Sequence, residues 1–238
     1  MSLLSTDTLH ELERLNNDCK GIVGILIKWR YPFFTDIRSL VVPPNSALVG
    51  VFGTPLRRHM DTATVEKFAH VIYYNTDYEK ALEGGAHTDE ISLPEIAQAI
   101  KEIVAIVDCK KLRLIVWEEM LVYFVANLRE SFGIPGPTNA ELEKIRDKRS
   151  MKECALERGI PTAPFLVLSD LANTEEAKTR IESVLSYPLF VKPIYGVASA
   201  GNARLNNQEE LMAWLLATKN KGHKETLCIS QSFFYANL

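Results

Sequence analysis

Cysteine is scarce in this 238-residue sequence: Cys19, Cys109, Cys154 and Cys228 lie far apart and never as Cys-x-x-Cys. That spacing argues against a disulfide framework or a paired-thiol zinc site, and fits reduced thiols in a cytosolic protein. Positive charge is not in excess either. Lys and Arg number 27 against 30 Asp and Glu, a formal net charge of −3, so no basic field exists to grip a phosphate backbone and nucleic acid is not the expected partner. Long apolar runs are missing too. The longest, 112–125, is broken by Arg113, Glu118 and Glu119, and the N-terminus lacks the basic start and apolar core of a signal peptide. The five histidines are scattered and no cysteine has a visible histidine partner, so no nucleophile stands out. A cytoplasmic protein without a membrane partner is expected. Oligomeric state stays open, a homodimer included.

What is present is ordinary in amount, 47% hydrophobic and 24% charged residues, and informative in order. Four β-branched runs, Gly21–Ile27, Ala47–Phe52, Ala69–Tyr74 and Leu112–Trp117, read as buried strands. Ser92-Leu93-Pro94-Glu95 is a capping box with proline in the first turn. It opens a helix with an apolar face of Ile96, Ile100, Ile103, Val104 and Val107. Met120–Phe132 reads as a helix stopped by Gly133. Strands alternating with helices predict an α/β fold with a parallel sheet. Asp36 to Pro44 has no clear reading. Ile134-Pro135-Gly136-Pro137 is rigid punctuation and marks a boundary between two units. Thr138-x-x-Glu141 caps helical residues running to Gly159 in two pieces. Phe165–Leu168, Leu189–Val191 and Leu227–Phe234 follow as strands, with helices at Glu175–Leu185 and Gln208–Lys219 between them.

The chemistry concentrates in YPLFVKPIYGVASAG, residues 187–201. An apolar strand delivers Lys192, and Gly196 and Gly201 then bracket a loop of small residues that includes Ser199. Lysine at a strand end can simply reach solvent. Beside a loop free to present backbone N–H groups, it instead suits a polyanion. The loop is not a Walker A motif, because the lysine precedes the glycines, and no dinucleotide fingerprint is present. A second stretch, IRDKRSMKECALERGIPTAPF at 145–165, sets Asp147 and Lys148 on a helix that Gly159 ends. Taken alone, Lys148, Arg149 and Lys152 describe a solvated basic helix.

Taken together, the two stretches resemble the ATP-grasp superfamily. Asp147-Lys148-x-x-x-Lys152 with Gly-Ile-Pro-Thr-x-Pro-Phe resembles the segment leading into its nucleotide lobe. Tyr187 to Pro193 resembles its phosphate-binding strand, and Gly196 to Gly201 the small-residue lid. Glu118-Glu119, Leu128-Arg129-Glu130 and Gly133-Ile-Pro-Gly136 are similar to the end of the Rossmann-like domain that precedes such lobes. The nearest type is the carboxylate–amine ligases, such as L-amino-acid ligases and carnosine synthases. D-alanine–D-alanine ligases and biotin carboxylases are more distant. The resemblance implies a Rossmann-like domain at 1–135, then a helical linker and the first α+β lobe of an ATP-grasp domain at 136–238. It makes Lys148 and Lys192 the nucleotide lysines, with Ser199 and the amides around Gly201 over the terminal phosphates. Gln231 would face the adenine amino group, and the backbone of Ser232 and Phe233 would form the hinge; an inward polar side chain is the plainer reading of Gln231. Glu118 either faces substrate or is a solvated strand-end carboxylate.

The resemblance further implies ATP and Mg2+, and small carboxylate and amine substrates joined through an acyl phosphate. It is not complete. Val197, Ala198 and Ala200 stand where relatives often have side-chain donors. The acidic metal ligands of such enzymes come from a second lobe, and the sequence given stops at Leu238, just past the expected hinge. The chain is therefore read as the ATP-binding part of a ligase that is inactive without that lobe. The alternatives are a shortened relative acting as a nucleotide-binding or protein-interaction module, and a Rossmann-like module that binds no nucleotide.

Overall fold

The computed structural model describes residues 4–28, 36–75, 93–169, 171–195, 201–220 and 227–231. The chain divides into two compact units, Met1–Asn139 and Ala140–Leu238. In the first, chain order runs α1 (Thr6–Asp18), β1 (Val23–Lys28), β2 (Ala47–Gly53), α2 (Thr62–Val65), β3 (His70–Tyr74), α3 (Leu93–Val104), β4 (Leu112–Val116) and α4 (Val122–Phe132). The four strands are parallel in the order β3-β2-β1-β4. Every residue of β1 is buried, which is why these strands are near-continuous apolar runs rather than alternating ones.

Alternate side chains of β1 serve two separate clusters. Val23, Ile25 and Ile27 pack with Leu12 and Leu15 of α1, Ile96 and Ile100 of α3 and Val125 of α4. Leu26 points the other way, to Leu48, Phe52, Leu56 and Phe68. Each fully buried aliphatic side chain of this kind contributes about 1.5–3 kcal/mol of transfer free energy. Asp36 to Pro44, unassigned from sequence, holds a 3-10 turn at Ile37–Ser39 capped by Asp36, and Ile37 enters the second cluster.

The predicted helix ends hold where glycine marks them. Gly133 closes α4 with φ of 67°, its N–H reaching the Arg129 carbonyl. The expected Met120 start gives way to a 3-10 turn at Glu119–Leu121 before α4 begins. Ser92, which caps the predicted box, lies outside the described residues. The Pro-Gly-Pro punctuation is tied down by buried Arg129, which donates to the Leu114 carbonyl at 2.7 Å and the Pro137 carbonyl at 3.3 Å. A side chain at Gly136 would meet the Arg129 chain at 2.8 Å, so only glycine lets it through.

The second unit holds α5 (Asn139–Arg146, its first residue the boundary), α6 (Lys148–Glu157), β5 (Phe165–Leu168), α7 (Thr174–Val184), β6 (Leu189–Pro193), β7 (Ala203–Leu205), α8 (Gln208–Asn220) and β8 (Leu227–Gln231). Its sheet is antiparallel, in the order β5-β8-β6-β7. Ile181 of α7 and Leu211 and Leu215 of α8 cover one face, packing on Leu189, Val191, Leu227 and Ile229. The expected α/β fold is thus present as a parallel sheet and a separate antiparallel one. Phe234, the expected end of the last strand, lies outside the described residues.

Candidate functional site

The helices α7 and α8 cover only one face of the antiparallel sheet. Residues directly opposite across antiparallel strands share a face. The register therefore sets Arg204, Phe190, Ser230 and Phe165 in one row on the other face, and Lys192, Cys228 and Val167 in the next. Phe190, Lys192, Ser230, Phe165 and Val167 are all half-buried. Two rings on this face carry cations: Arg204 stands 5.9 Å from the Phe190 centroid and Lys152 Nζ 5.1 Å from that of Phe165.

Of the two predicted lysines, Lys192 stands on this face and Lys148 reaches the end of its strand. Asp147 starts α6 by accepting from the Ser150 N–H at 2.8 Å, and it is only 1% exposed. That cap fixes Lys148 at the first helical position. Lys148 Nζ donates to the Pro193 carbonyl at 2.8 Å and the Ile194 carbonyl at 3.0 Å, just beyond Lys192. Tyr195 then donates to Glu143 Oε1 at 2.7 Å, and the hydrogen-bonded carboxylate raises its phenol above the ordinary tyrosine range. The segment 193–195 is held from α5 and α6 at once. Gly201 completes this base with φ of 71°, where a Cβ would lie 2.8 Å from the Pro193 ring. Glycine is needed there for both reasons.

Charge around Cys228 shows how closely the cations gather. The thiol is 3% exposed, and burial pushes its pKa up. Lys152, Lys148 and Lys192 all act on it in the opposite sense, and Asp147 adds to the rise. Burial likewise holds the Lys152 ammonium below the usual lysine range, and Lys192 pushes the same way. Two like charges roughly 6 Å apart repel by about 3 kcal/mol at an effective dielectric constant near 20. A face that gathers three ammonium groups suits an anion.

Other expected residues fall elsewhere. Gln231 pairs with Leu189, which faces the helix-covered cluster, so its register sets it on the opposite face from Lys192. Its backbone N–H donates to the Pro164 carbonyl at 3.0 Å. Ser199, Ser232 and Phe233 lie outside the described residues. Glu118 is not the solvated strand-end carboxylate of one reading: it is buried in the first unit, 3.0 Å from the ammonium of buried Lys28. Lys152, read from sequence as part of a solvated basic helix, is half-buried over the Phe165 ring. Its spacing of one turn from Lys148 was the available signal. Among the described residues, no three His, Cys, Asp or Glu side chains come together to hold a metal ion.

Comparisons with known proteins bear out the resemblance. Residues 155–229 match the family described as D-ala D-ala ligase C-terminus. The D-alanine–D-alanine ligase of Streptococcus gordonii is 38% identical over 74 residues, 31% of this chain and 20% of that protein. The biotin carboxylase of Campylobacter jejuni, solved as an ATP complex, superposes with a TM-score of 0.59 at 16% identity, over 89% of this chain and 45% of that one. The L-amino acid ligase of Bacillus licheniformis does so with a TM-score of 0.51 at 16% identity, over 90% and 45%. At these identities the structures speak to the fold alone. The sequence match covers residues 155–229, and over most of the chain the fold is like that of these ligases and carboxylases, as the resemblance to ATP-grasp proteins implies. The chain spans about a fifth of the curated relative and under half of each solved chain.

Proposed function

We propose that the face of the antiparallel sheet opposite α7 and α8 binds ATP, and that the whole protein is a carboxylate–amine ligase. The observation that carries this is that Lys192 and the Phe165 ring under Lys152 share one half-buried face, while Lys148 holds the carbonyls of Pro193 and Ile194 just beyond Lys192, next to Gly201. Lys192 and Lys148 meet the phosphates at the loop end. The Ser199 hydroxyl and the Gly201 amide, which follow in sequence, close over the terminal phosphates. The backbone of Ser232 and Phe233 supplies the hinge contacts at the nucleoside end, and the Gln231 side chain, set on the other face by its register, does not reach the adenine. Division at about residue 135 into a Rossmann-like domain and a nucleotide lobe fits the same reading.

In the complete reaction a substrate carboxylate oxygen attacks the γ-phosphorus, and the bond to the β–γ bridging oxygen breaks to release ADP. An amine nitrogen then attacks the acyl phosphate carbon, phosphate leaves, and the nitrogen loses a proton to give the amide. The lysines supply charge neutralisation and alignment rather than covalent chemistry. The described residues offer no acidic cluster for magnesium, so no step is assigned through the metal here.

Phosphate release by the full-length protein, supplied with ATP, Mg2+ and pooled amino acids, tests this reading. Release should require both a carboxylate and an amine, and hydroxylamine should trap the acyl phosphate as a hydroxamate. Nucleotide binding without any release would identify a binding module instead. Absence of both binding and release would contradict the proposal.

A further inference from the structure

The geometry points to Lys152 as a third cation that contacts the bound nucleotide, set on the Phe165 ring at the nucleoside end of the face. This rests on the nucleotide reading above and extends it to a residue outside the two expected lysines. Lys148 and Lys152 are one turn apart on α6, so their side chains leave the same side of the helix about 6 Å apart. Side chains on one face of a strand recur about every 6.6 Å. The two spacings match, and the contacts follow them. Lys148 reaches the carbonyls of Pro193 and Ile194 at the loop end. Lys152 stands over Phe165, one row nearer the Gln231 end.

A second contact fixes the same position. Lys152 Nζ donates to the Ala163 carbonyl at 3.3 Å, next to Pro164, whose own carbonyl accepts from Gln231. One of three ammonium donors is thereby used. Arg149, on the same helix, differs: it is exposed and lies 3.8 Å from the Asp147 carboxylate. Among the described residues no carboxylate forms an ion pair with Lys152. Its charge is partly withdrawn from water with Lys192 nearby and only a ring and a carbonyl in return. An anionic oxygen above Phe165 supplies the missing counter-charge, and the phosphate closest to the nucleoside is the group that reaches this row.

Calorimetric titration of the full-length protein with the non-hydrolysable analogue AMP-PNP, and with AMP, tests the assignment. Lys152→Met should weaken both by about tenfold, the worth of one charge-assisted hydrogen bond, while Lys152→Arg, which keeps the charge, retains most of the affinity. Unchanged affinity in Lys152→Met, with binding lost in Lys192→Met, overturns the assignment and leaves the nucleotide reading standing. Failure of the wild type to bind AMP-PNP overturns both. A variant that melts early is replaced by the wild type under an amine-acylating reagent. AMP-PNP should then shield Lys152 as strongly as Lys192, and equal acylation of Lys152 with and without nucleotide overturns the assignment.

Discussion

Lys192→Met should weaken AMP-PNP binding by about 100-fold, because the ammonium makes charge-assisted hydrogen bonds to phosphate oxygens worth about 1.5–3 kcal/mol each. Methionine keeps the unbranched stem that packs beside Cys228 and removes only the charge. Folding should be nearly indifferent. A change within about 0.5 kcal/mol moves Tm by about 2 °C or less in a chain of this size, and relief of repulsion from Lys152 acts in the stabilising direction. The split between affinity and melting temperature is the diagnostic result. Equal affinity in the variant, or a Tm fall large enough to account for lost binding, would assign Lys192 a structural role instead.

The largest effect on stability is expected in the first unit. Lys28 is 3% exposed and Glu118 6% exposed, with Nζ and Oε1 3.0 Å apart. The Lys28 carbonyl also accepts from the Tyr74 hydroxyl at 3.2 Å. Burial, with Glu118 and Glu95 adding negative charge, holds that phenol protonated well above its ordinary pKa. Glu118→Leu deletes one member of a desolvated pair and should cost about 3–5 kcal/mol, since the Lys28 ammonium stays in the interior without that carboxylate. Adding Lys28→Met should recover most of the loss, because a well-packed apolar pair is often as stable as the ions it replaces. Urea unfolding of the full-length single and double variants measures both. Additive losses across the cycle would show that the two residues act independently.

These two sites differ in how visible they were along the chain. The strand that carries Lys192 was legible, and a role for the lysine could be proposed, because strand, lysine and small-residue run are contiguous. Glu118 was not, since its partner lies at Lys28 and nothing near either residue announces the pairing. The parallel strands were legible as unbroken β-branched runs, and Gly133 and Gly159 marked helix ends where φ is positive. The helix α1 was passed over, although Ser5 caps it and Leu12 and Leu15 are buried at helical spacing. The three-residue edge strand β7 is too short to show a period. Lys152 was visible as a residue but not as part of a site. Its significance depends on Phe165 lying beneath it, and that is a fact of register rather than of sequence.

Amide hydrogen exchange of the full-length protein, with and without saturating AMP-PNP, tests the central claim most directly. Nucleotide should slow exchange in α6, β6 and β8, around Lys148, Lys192 and Cys228, with the parallel sheet of the first unit little changed. Protection confined to the parallel sheet, or none anywhere while nucleotide is bound, would contradict the assignment of the face opposite α7 and α8 as the ATP site.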